Sequence, residues 1–236
     1  MEAIMDKELV AVLPAFSRSI RPSLYQYLTQ NKRVTSQDVL FMAGSPAAGK
    51  TELLDLLIEE NRITNIVRID ADDFRWWFPY YNEANAAAYQ KPASQMVELM
   101  YRYALRDGYQ IVMDSTFASR DIAERNVQRA LSAGYRVMIN YVYFDPELAW
   151  RYAKLRARKV PLDILKQNFF KSRKTIEYMI EKYKDNITLN VYQRRPSPQN
   201  PHKFVVDYKP DVTLASWPDS HDCPYRDVSD LSHITL

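Results

Sequence analysis

One eight-residue stretch, GSPAAGKT at 44–51, constrains this chain more than any other feature. The pattern Gly-x-x-x-x-Gly-Lys-Thr is typical of a loop whose backbone N–H groups surround phosphate groups. The chain of 236 residues has only 4 glycines, and two of them lie in this stretch. Chance produces the pattern far less often in so glycine-poor a chain, so we interpret it as a phosphate-binding loop. Its candidate nucleotide-binding residues are Gly44, Ser45, Pro46, Ala47, Ala48, Gly49, Lys50 and Thr51.

Each end of this phosphate loop has its own expected role. Gly44 permits a tight turn out of the preceding strand, and Gly49 lets the backbone approach a phosphate closely. A helix that begins near Lys50 directs the positive end of its dipole at the anion. Lys50 should reach the β- and γ-phosphates, and the Thr51 hydroxyl should be a ligand of Mg²⁺. The sequence therefore predicts ATP and Mg²⁺ as cofactors.

Apolar runs alternate with amphipathic stretches along the chain, which indicates βαβ units and a mostly parallel sheet. We predict the α/β fold class, with a P-loop kinase core and a sheet flanked by helices. The predicted strands are 38–43, 65–70, 110–113, 135–144, 187–192 and 204–207. The predicted helices are 50–60, 93–106, 119–133, 146–158 and 161–184. The expected organisation is a helical segment 1–37 broken near Pro14 and Pro22, a kinase domain 38–195 and an irregular extension 196–236 on the same domain.

Carboxylates follow the second and third predicted strands, where ligands of such sheets are expected to lie. Asp70 and Asp72 are two apart, so on an extended segment their side chains point the same way. A kinase needs one carboxylate to accept the proton of the attacking hydroxyl. Asp72 or Asp73 could instead cap the helix that follows. Asp114 ends the third strand and is a candidate metal-binding acid, or else a turn residue.

Basic residues share one face of the predicted helix 146–158, because Arg151, Lys154 and Arg158 are spaced at i, i+3 and i+7. Such a row could stabilise the charge of a migrating phosphoryl group. On an isolated helix it would be an ordinary solvated face. Arg156 competes for the same role. Glu98 lies on a helix whose opposite face is apolar, and Thr116 could bind substrate or cap the next helix.

Composition excludes several classes of function. A net charge of +3 is too small to argue for nucleic-acid binding. Cys223 is the only cysteine, so no internal disulfide can form and a reducing compartment is expected. The short apolar run after Asp6, Lys7 and Glu8 suits neither a secretory signal nor a membrane span. We therefore expect a cytoplasmic protein that binds no membrane.

Four segments follow one another in order: GSPAAGKT at 44–51, IDADDFR at 69–75, GYQIVMDST at 108–116 and ARKVP at 157–161. Together they resemble the G-x-P-G-x-G-K-T, I-D-x-D-x-F-[KR], G-Y-x-hydrophobic-E-G-T and A-R-x-[TV]-P motifs of the zeta toxin family of P-loop kinases. The resemblance covers about residues 38–195. It implies a kinase that phosphorylates a hydroxyl of UDP-N-acetylglucosamine with ATP or GTP, which starves cell-wall synthesis.

The resemblance also implies roles for single residues. Asp72 matches the catalytic base and Lys50 the phosphate-binding lysine. Arg158 matches one of two lid arginines, and Arg151 is the candidate for the other. The family's antitoxins are small helical proteins that block the nucleotide site, so a partner of that kind is expected.

Substrate-binding positions match less closely. Glu98 and Thr116 match the family's substrate-binding Glu and Thr. The family has an arginine two residues after that Thr, where this chain has Ala118; Arg120 is the nearest substitute. Asp114 and Ser115 replace Glu and Gly, and Ala47 replaces a glycine of the loop.

Two other kinds of function remain open from the sequence. The first is another small-molecule or polynucleotide kinase of the same superfamily, although a nucleic-acid kinase should carry a stronger basic groove. The second is a non-catalytic ATP switch or scaffold. Retention of Asp72 and the lid arginines argues against a switch, because a switch needs neither.

Overall fold

The computed structural model describes residues 2–60, 65–155, 160–199 and 203–235, which form helices and strands in alternation. The helices are α1 (Glu2–Thr29), α2 (Lys50–Glu59), α3 (Ala71–Arg75), α4 (Ala86–Arg106), α5 (Arg120–Ser132), α6 (Pro146–Ala153) and α7 (Leu162–Tyr183). The strands are β1 (Asp38–Ala43), β2 (Val67–Asp70), β3 (Ile111–Asp114), β4 (Arg136–Phe144), β5 (Ile187–Pro196) and β6 (Phe204–Lys209). Three short 3₁₀ turns lie at Glu83–Asn85, Lys184–Asn186 and Val228–Leu231.

The six strands form one sheet in the order β2-β3-β1-β4-β5-β6. β1 pairs with β4 and β4 with β5 in parallel, whereas β6 pairs with β5 in the antiparallel direction. All six side chains of β1 are buried, as is typical of a strand covered on both faces. The predicted α/β class with a mostly parallel sheet is confirmed.

The chain divides into two compact units, of which the first consists of residues 1–37 and 65–113. Inside it, α1 packs on α4 through Tyr25 and Tyr103, whose ring centroids are 5.4 Å apart. The Tyr25 hydroxyl donates a hydrogen bond of 2.6 Å to Asp107. Burial and the neighbouring Asp107 carboxylate raise the pKa of Tyr25. These contacts anchor α1 on the unit that also carries β2, α3 and the start of β3.

Two helices of the first unit differ from the prediction. α1 continues through Pro14 and Pro22, so the expected break is wrong. Each proline removes one helical hydrogen bond, and burial of Leu13 and Leu24 compensates for that loss. α4 begins at Ala86, seven residues before the predicted start, because three alanines with high helix propensity precede Pro92.

The second unit consists of residues 38–64 and 114–236, and it contains β1, α2 and everything from α5 onwards. Its last part, residues 210–235, is here called the C-terminal segment. Apart from one 3₁₀ turn this segment has no helix or strand, yet Trp217, His221 and Leu231 are buried. Among the described residues of the chain, no helix has both the length and the hydrophobicity that crossing a bilayer requires.

Candidate active site

The phosphate loop leaves β1 at Gly44 and enters α2 at Lys50, as the sequence predicts. Gly44 has φ +138°, and a Cβ there would lie 2.5 Å from the carbonyl oxygen of Val142. Gly49 has φ +94° and a Cβ would lie 2.6 Å from Nη1 of Arg194. Both positions therefore favour glycine for their backbone conformation, and at Gly44 the neighbouring backbone carbonyl also leaves no space for a side chain. Ala47 is also left-handed, with φ +61°, although it carries a side chain.

The side chains of the loop are oriented by its own backbone. The Lys50 ammonium donates to the carbonyl oxygens of Gly44 at 3.2 Å and Ser45 at 2.9 Å. The hydroxyl of Ser45 is buried and has no hydrogen-bond partner within the described part of the chain. A buried polar atom without a partner suits a site that is completed by a bound polar group. The residues of the loop therefore fit a nucleotide's phosphates.

The two predicted metal ligands are brought together in the second unit. The Thr51 hydroxyl donates a hydrogen bond of 3.2 Å to Oδ2 of Asp114, the last residue of β3. Mg²⁺ prefers oxygen ligands and usually binds one or two carboxylates together with water and substrate phosphates. One carboxylate and one hydroxyl beside a phosphate loop match that requirement. The metal-binding role of both residues stays a prediction.

The segment after β3 is hydrogen-bonded to the start of the phosphate loop. The backbone N–H of Gly44 donates to the carbonyl oxygen of Thr116 at 3.2 Å. Phe117 follows with φ +57° and is buried against Phe41, with 5.6 Å between ring centroids. A bulky residue in the left-handed region stores backbone strain, which is common near functional sites. The contact places Thr116 next to the loop.

The carboxylates after β2 have three different environments, all inside the first unit. Asp70 caps α3, because its side chain accepts from the N–H of Asp72 at 2.8 Å. The expectation that Asp72 or Asp73 provides this cap is therefore wrong. Asp72 lies inside the helix, so the argument from an extended segment does not apply to it. Asp73 is 63% exposed and lies 3.8 Å from Arg68.

Asp72 itself is half-exposed and forms an ion pair with Arg75. The Arg75 side chain is only 2% exposed, and its other terminal nitrogen donates to Gln90 on α4. Residues three apart on a helix face the same side, which makes the ion pair possible. One carboxylate edge is thus held by a buried guanidinium while the side chain remains accessible. This arrangement suits a group that must accept a proton from a substrate.

The remaining predicted residues have varied positions. Glu98 is half-buried on α4, in the same unit as Asp72. Arg120 begins α5 and is exposed, with its guanidinium 5.1 Å from the Tyr178 ring centroid. Arg151 is exposed on α6 and forms a 2.6 Å ion pair with Glu147. Arg158 lies outside the described residues, as does Arg156, the alternative to Arg151, so the predicted roles of both stay untested.

A scan against protein families gives the decisive comparison. The zeta toxin family model matches residues 24–199, well over half of the chain. The chain belongs to the zeta toxin family.

Relatives and solved structures agree with this membership. This zeta toxin family protein is 25% identical over 207 residues to toxin PezT of Streptococcus pneumoniae, covering 84% of the chain and 69% of PezT. It is 24% identical to the toxin zeta of Streptococcus pyogenes over 56% of the chain and 48% of that toxin, so it spans about half the length of that relative.

Solved structures show the same fold. A structure of the PezAT chromosomal toxin-antitoxin system superposes with TM-score 0.65 at 21% identity, covering 76% of this chain and 78% of that chain. The AvrRxo1-ORF1:ORF2 complex with ATP superposes with TM-score 0.58 at 15% identity, covering 90% and 70%. Family and fold together make the protein a kinase-type enzyme with a nucleotide-binding loop.

Sequence reasoning assigned no role to two residues of this zeta toxin relative. Arg75 is part of the IDADDFR segment, but nothing in a single sequence shows that its side chain is buried against Asp72. Arg194 lies against Gly49 although 145 positions separate them, and only the pairing of distant strands brings them together. The sequence offers one signal for Arg194, the pair Arg194-Arg195 shortly after the predicted strand 187–192.

Proposed function

We propose that this protein transfers the γ-phosphoryl group of ATP to a hydroxyl of a small molecule, with UDP-N-acetylglucosamine as the acceptor. One observation carries the proposal. The phosphate loop has a lysine held over it, and the hydroxyl of Thr51 is hydrogen-bonded to the strand-end carboxylate of Asp114. In a zeta toxin family chain, a phosphate-binding lysine and a pair of Mg²⁺ ligands are the groups that phosphoryl transfer requires. GTP is the alternative donor.

Asp72 accepts the proton in the proposed reaction. The acceptor hydroxyl loses its proton to the Asp72 carboxylate while its oxygen forms a bond to the γ-phosphorus. The bond between that phosphorus and the bridging oxygen breaks, and the nucleoside diphosphate leaves. Arg75 forms an ion pair with the same carboxylate, which orients the Asp72 side chain for this role.

Positive charge stabilises the phosphoryl group during transfer. Backbone N–H groups of the loop and Lys50 bind the β- and γ-phosphates. Mg²⁺, held by Thr51 and Asp114, would neutralise phosphate charge as the bond breaks. Arg158 and Arg151 complete the neutralisation in this proposal. Arg151 would have to exchange its exposed ion pair with Glu147 for a phosphate contact, which costs little because exposed pairs are weak.

Acceptor binding is assigned to Glu98, Thr116 and Arg120. The choice of acceptor is based on family membership alone. The residues around Thr116 do not support it, because they depart from the family pattern. Ala118 stands where the family has an arginine, and Arg120 is engaged by Tyr178. If this protein uses a different acceptor, the residues that select it are therefore expected in this segment.

An antitoxin partner belongs to the same proposal. One structural neighbour comes from a toxin-antitoxin system. We infer that this kinase-type protein also works beside a small helical antitoxin in the cytoplasm, where ATP is present. Copurification of the chain with the product of an adjacent gene would test the inference.

A phosphoryl-transfer assay tests the catalytic proposal. Purified protein is incubated with Mg²⁺, ATP and UDP-N-acetylglucosamine, and products are read by mass spectrometry beside an Asp72→Asn variant. We expect a phosphorylated sugar nucleotide, and about 10²- to 10⁴-fold slower transfer by the variant with ATP binding nearly intact. Asp73→Asn, at the exposed neighbouring residue, is the matched control and should keep most of the rate.

Two outcomes would contradict parts of the proposal. Wild-type turnover by Asp72→Asn would reject the base assignment. ATP hydrolysis or binding without a phosphorylated sugar nucleotide would reject this acceptor, and a screen of other hydroxyl compounds, including nucleic-acid ends, would then be needed.

A further inference from the structure

A small cavity lies directly beside the phosphate loop in the second unit, and none of the predicted roles accounts for it. Its volume is about 180 Å³. Its floor and walls come from Gly49, the first two turns of α2 and the C-terminal halves of β4 and β5 together with β6. Its lining includes the side chains of Glu52, Leu56, Arg194, Phe204 and Val206.

The lining of this cavity is mostly apolar, and part of it is unusually exposed for apolar side chains. Leu56 and Val206 are each 43% exposed and both line the cavity. Exposed apolar side chains that gather in a concavity mark ligand sites more often than isolated ones do. Arg194 and Glu52 are the charged lining residues, so the cavity combines apolar walls with a cation and an acid.

Arg194 is fixed at the border between the cavity and the loop. Its guanidinium lies 3.9 Å from the ring centroid of Phe204, 4.9 Å from that of Phe144 and 5.8 Å from that of Tyr152. Its Nη1 lies 2.6 Å from the position that a Cβ on Gly49 would occupy. Three rings thus hold one planar cation against the loop backbone, which limits the entropy lost when a ligand stacks on it.

We propose that this cavity receives the base of the donor nucleotide, with Arg194 and Phe204 as the residues that position it. This inference rests on the proposed function, because it assumes that nucleotide phosphates occupy the loop. The volume is below the roughly 300–1,000 Å³ of pockets that enclose whole ligands, so it suits a single ring system. A nucleobase is planar, stacks on guanidinium and aromatic faces, and offers hydrogen-bonding edges to groups such as Glu52.

Continuity with the loop identifies the occupant. The cavity begins at Gly49 and Glu52, so a nucleotide whose phosphates lie on the loop has its base within reach. Its described lining includes no candidate acceptor residue, neither Glu98 nor Thr116 nor Arg120. Phe204 and Val206 lie beyond residues 24–199, the part matched by the family model. The antiparallel strand β6 therefore gives this chain a wall of the donor site that the family match does not include.

Equilibrium binding separates base recognition from phosphate recognition. Affinities for ATP, GTP and inorganic tripolyphosphate, each with Mg²⁺, are measured by titration calorimetry for the wild type, Arg194→Ala and Phe204→Ala. We expect ATP or GTP to bind about 5- to 100-fold more weakly to each variant, as loss of one stacking contact predicts. Tripolyphosphate should bind all three proteins equally.

Matched variants keep the test decisive. Arg195→Ala changes the next residue, which forms an exposed ion pair with Asp207, and it should bind nucleotide like the wild type. If Arg194→Ala does not fold, Phe204→Leu, which keeps an apolar wall but removes the ring, replaces it. Thermal unfolding checks the folded state of every variant.

The possible results lead to different conclusions. Unchanged nucleotide affinity in Arg194→Ala and Phe204→Ala overturns the base site. An equal loss for tripolyphosphate also overturns it, because Arg194 would then be a phosphate contact. Wild-type protein that binds ATP through these residues yet phosphorylates nothing would support the base site and reject the proposed kinase reaction.

Discussion

The phosphate loop and the C-terminal segment belong to the same unit but are held in place by opposite means. The loop depends on backbone conformation: Gly44, Ala47 and Gly49 are all left-handed within six residues. The C-terminal segment, residues 210–235, depends on side chains that reach across the unit. The Trp150 indole donates to the carbonyl oxygen of Thr235 at 3.0 Å, and the Lys166 ammonium donates to that of Ile234 at 2.7 Å.

The difference teaches which parts of the molecule tolerate which changes. A backbone-determined loop fails when one atom is added at Gly44, since the nearest neighbour there is the Val142 carbonyl, a backbone group that cannot move aside. A segment held by separate side-chain contacts loses stability in steps, one contact at a time. Nucleotide binding should therefore respond to the loop alone, and unfolding should respond to both regions.

The largest expected effect comes from Gly44→Ala. The new Cβ would meet the Val142 carbonyl at 2.5 Å while the backbone keeps φ +138°. Left-handed strain and overpacking together should lower the free energy of unfolding by about 4 kcal/mol and abolish nucleotide binding. Denaturant titration and calorimetry measure the two effects.

Gly108→Ala is the control for that change. Gly108 is also left-handed, but a Cβ there would meet only the end of the Val34 side chain at 3.3 Å. Its cost should be about 1–2 kcal/mol, from backbone strain alone. Equal losses in the two variants would show that the contact with Val142 does not matter.

A pH titration should weaken the C-terminal segment through His221. This side chain is 4% exposed among Tyr141, Tyr143 and Trp217. Burial, followed by the charge of Arg173 and then Lys209, lowers the pKa of His221 to about 3 against the opposing effect of Asp222. The folded protein therefore stabilises the neutral form of the His221 ring over the protonated form.

The pH window of this effect follows from the two pKa values. An unfolded histidine titrates near pH 6.5, so its stabilising contribution is complete above that pH and is lost as pH falls towards 3. Between pH 7 and pH 4 the loss is about 3 kcal/mol. His221→Phe removes the titrating group. Between pH 7 and pH 4 its free energy of unfolding should therefore fall by about 3 kcal/mol less than that of the wild type. His233→Phe, which removes an exposed histidine, is the control variant.

A smaller effect is expected from Trp217→Phe. The indole N–H donates to Glu177 at 2.8 Å, and the ring lies 5.4 Å from Tyr141. Losing the hydrogen bond and part of a buried ring should cost about 2 kcal/mol of unfolding free energy without changing nucleotide affinity. Trp76→Phe, at a residue that is 63% exposed, should change stability by less than about 0.5 kcal/mol. A weaker nucleotide affinity in Trp217→Phe would show that the two regions are coupled.

The same contrast explains how much of the structure the sequence could predict. The loop, the strand that ends in Asp114 and the mostly parallel sheet were predicted because apolar periodicity and glycine placement are local signals. The continuation of α1 through Pro14 and Pro22 was missed because tertiary packing overrides a local signal. The cap at Asp70 differs from the predicted one because α3 begins at Ala71, before Asp72 and Asp73, which were expected to precede the helix.

Long-range side-chain contacts had no local signal at all. The burial of Arg75 against Asp72, and the position of Arg194 beside Gly49, depend on elements that meet only in the folded chain. The C-terminal segment has no periodic pattern, yet its buried aromatic and histidine side chains fill the unit's core. Residues that act through their neighbours are therefore the part of the candidate site that a single sequence leaves open.

The smallest effect is expected from Ala47→Gly, which tests the role of backbone conformation within the phosphate loop. Ala47 is buried with φ +61°, a conformation that costs an alanine about 1–2 kcal/mol and a glycine almost nothing. Part of that gain is offset because glycine gives the unfolded chain more freedom. We expect a net stabilisation of about 0.5 kcal/mol by denaturant titration. Ala48→Gly, next along the loop but not left-handed, should instead destabilise the protein by about 0.5–1 kcal/mol. A loss of stability in Ala47→Gly would mean that contacts of its methyl group, and not its backbone conformation, determine this position.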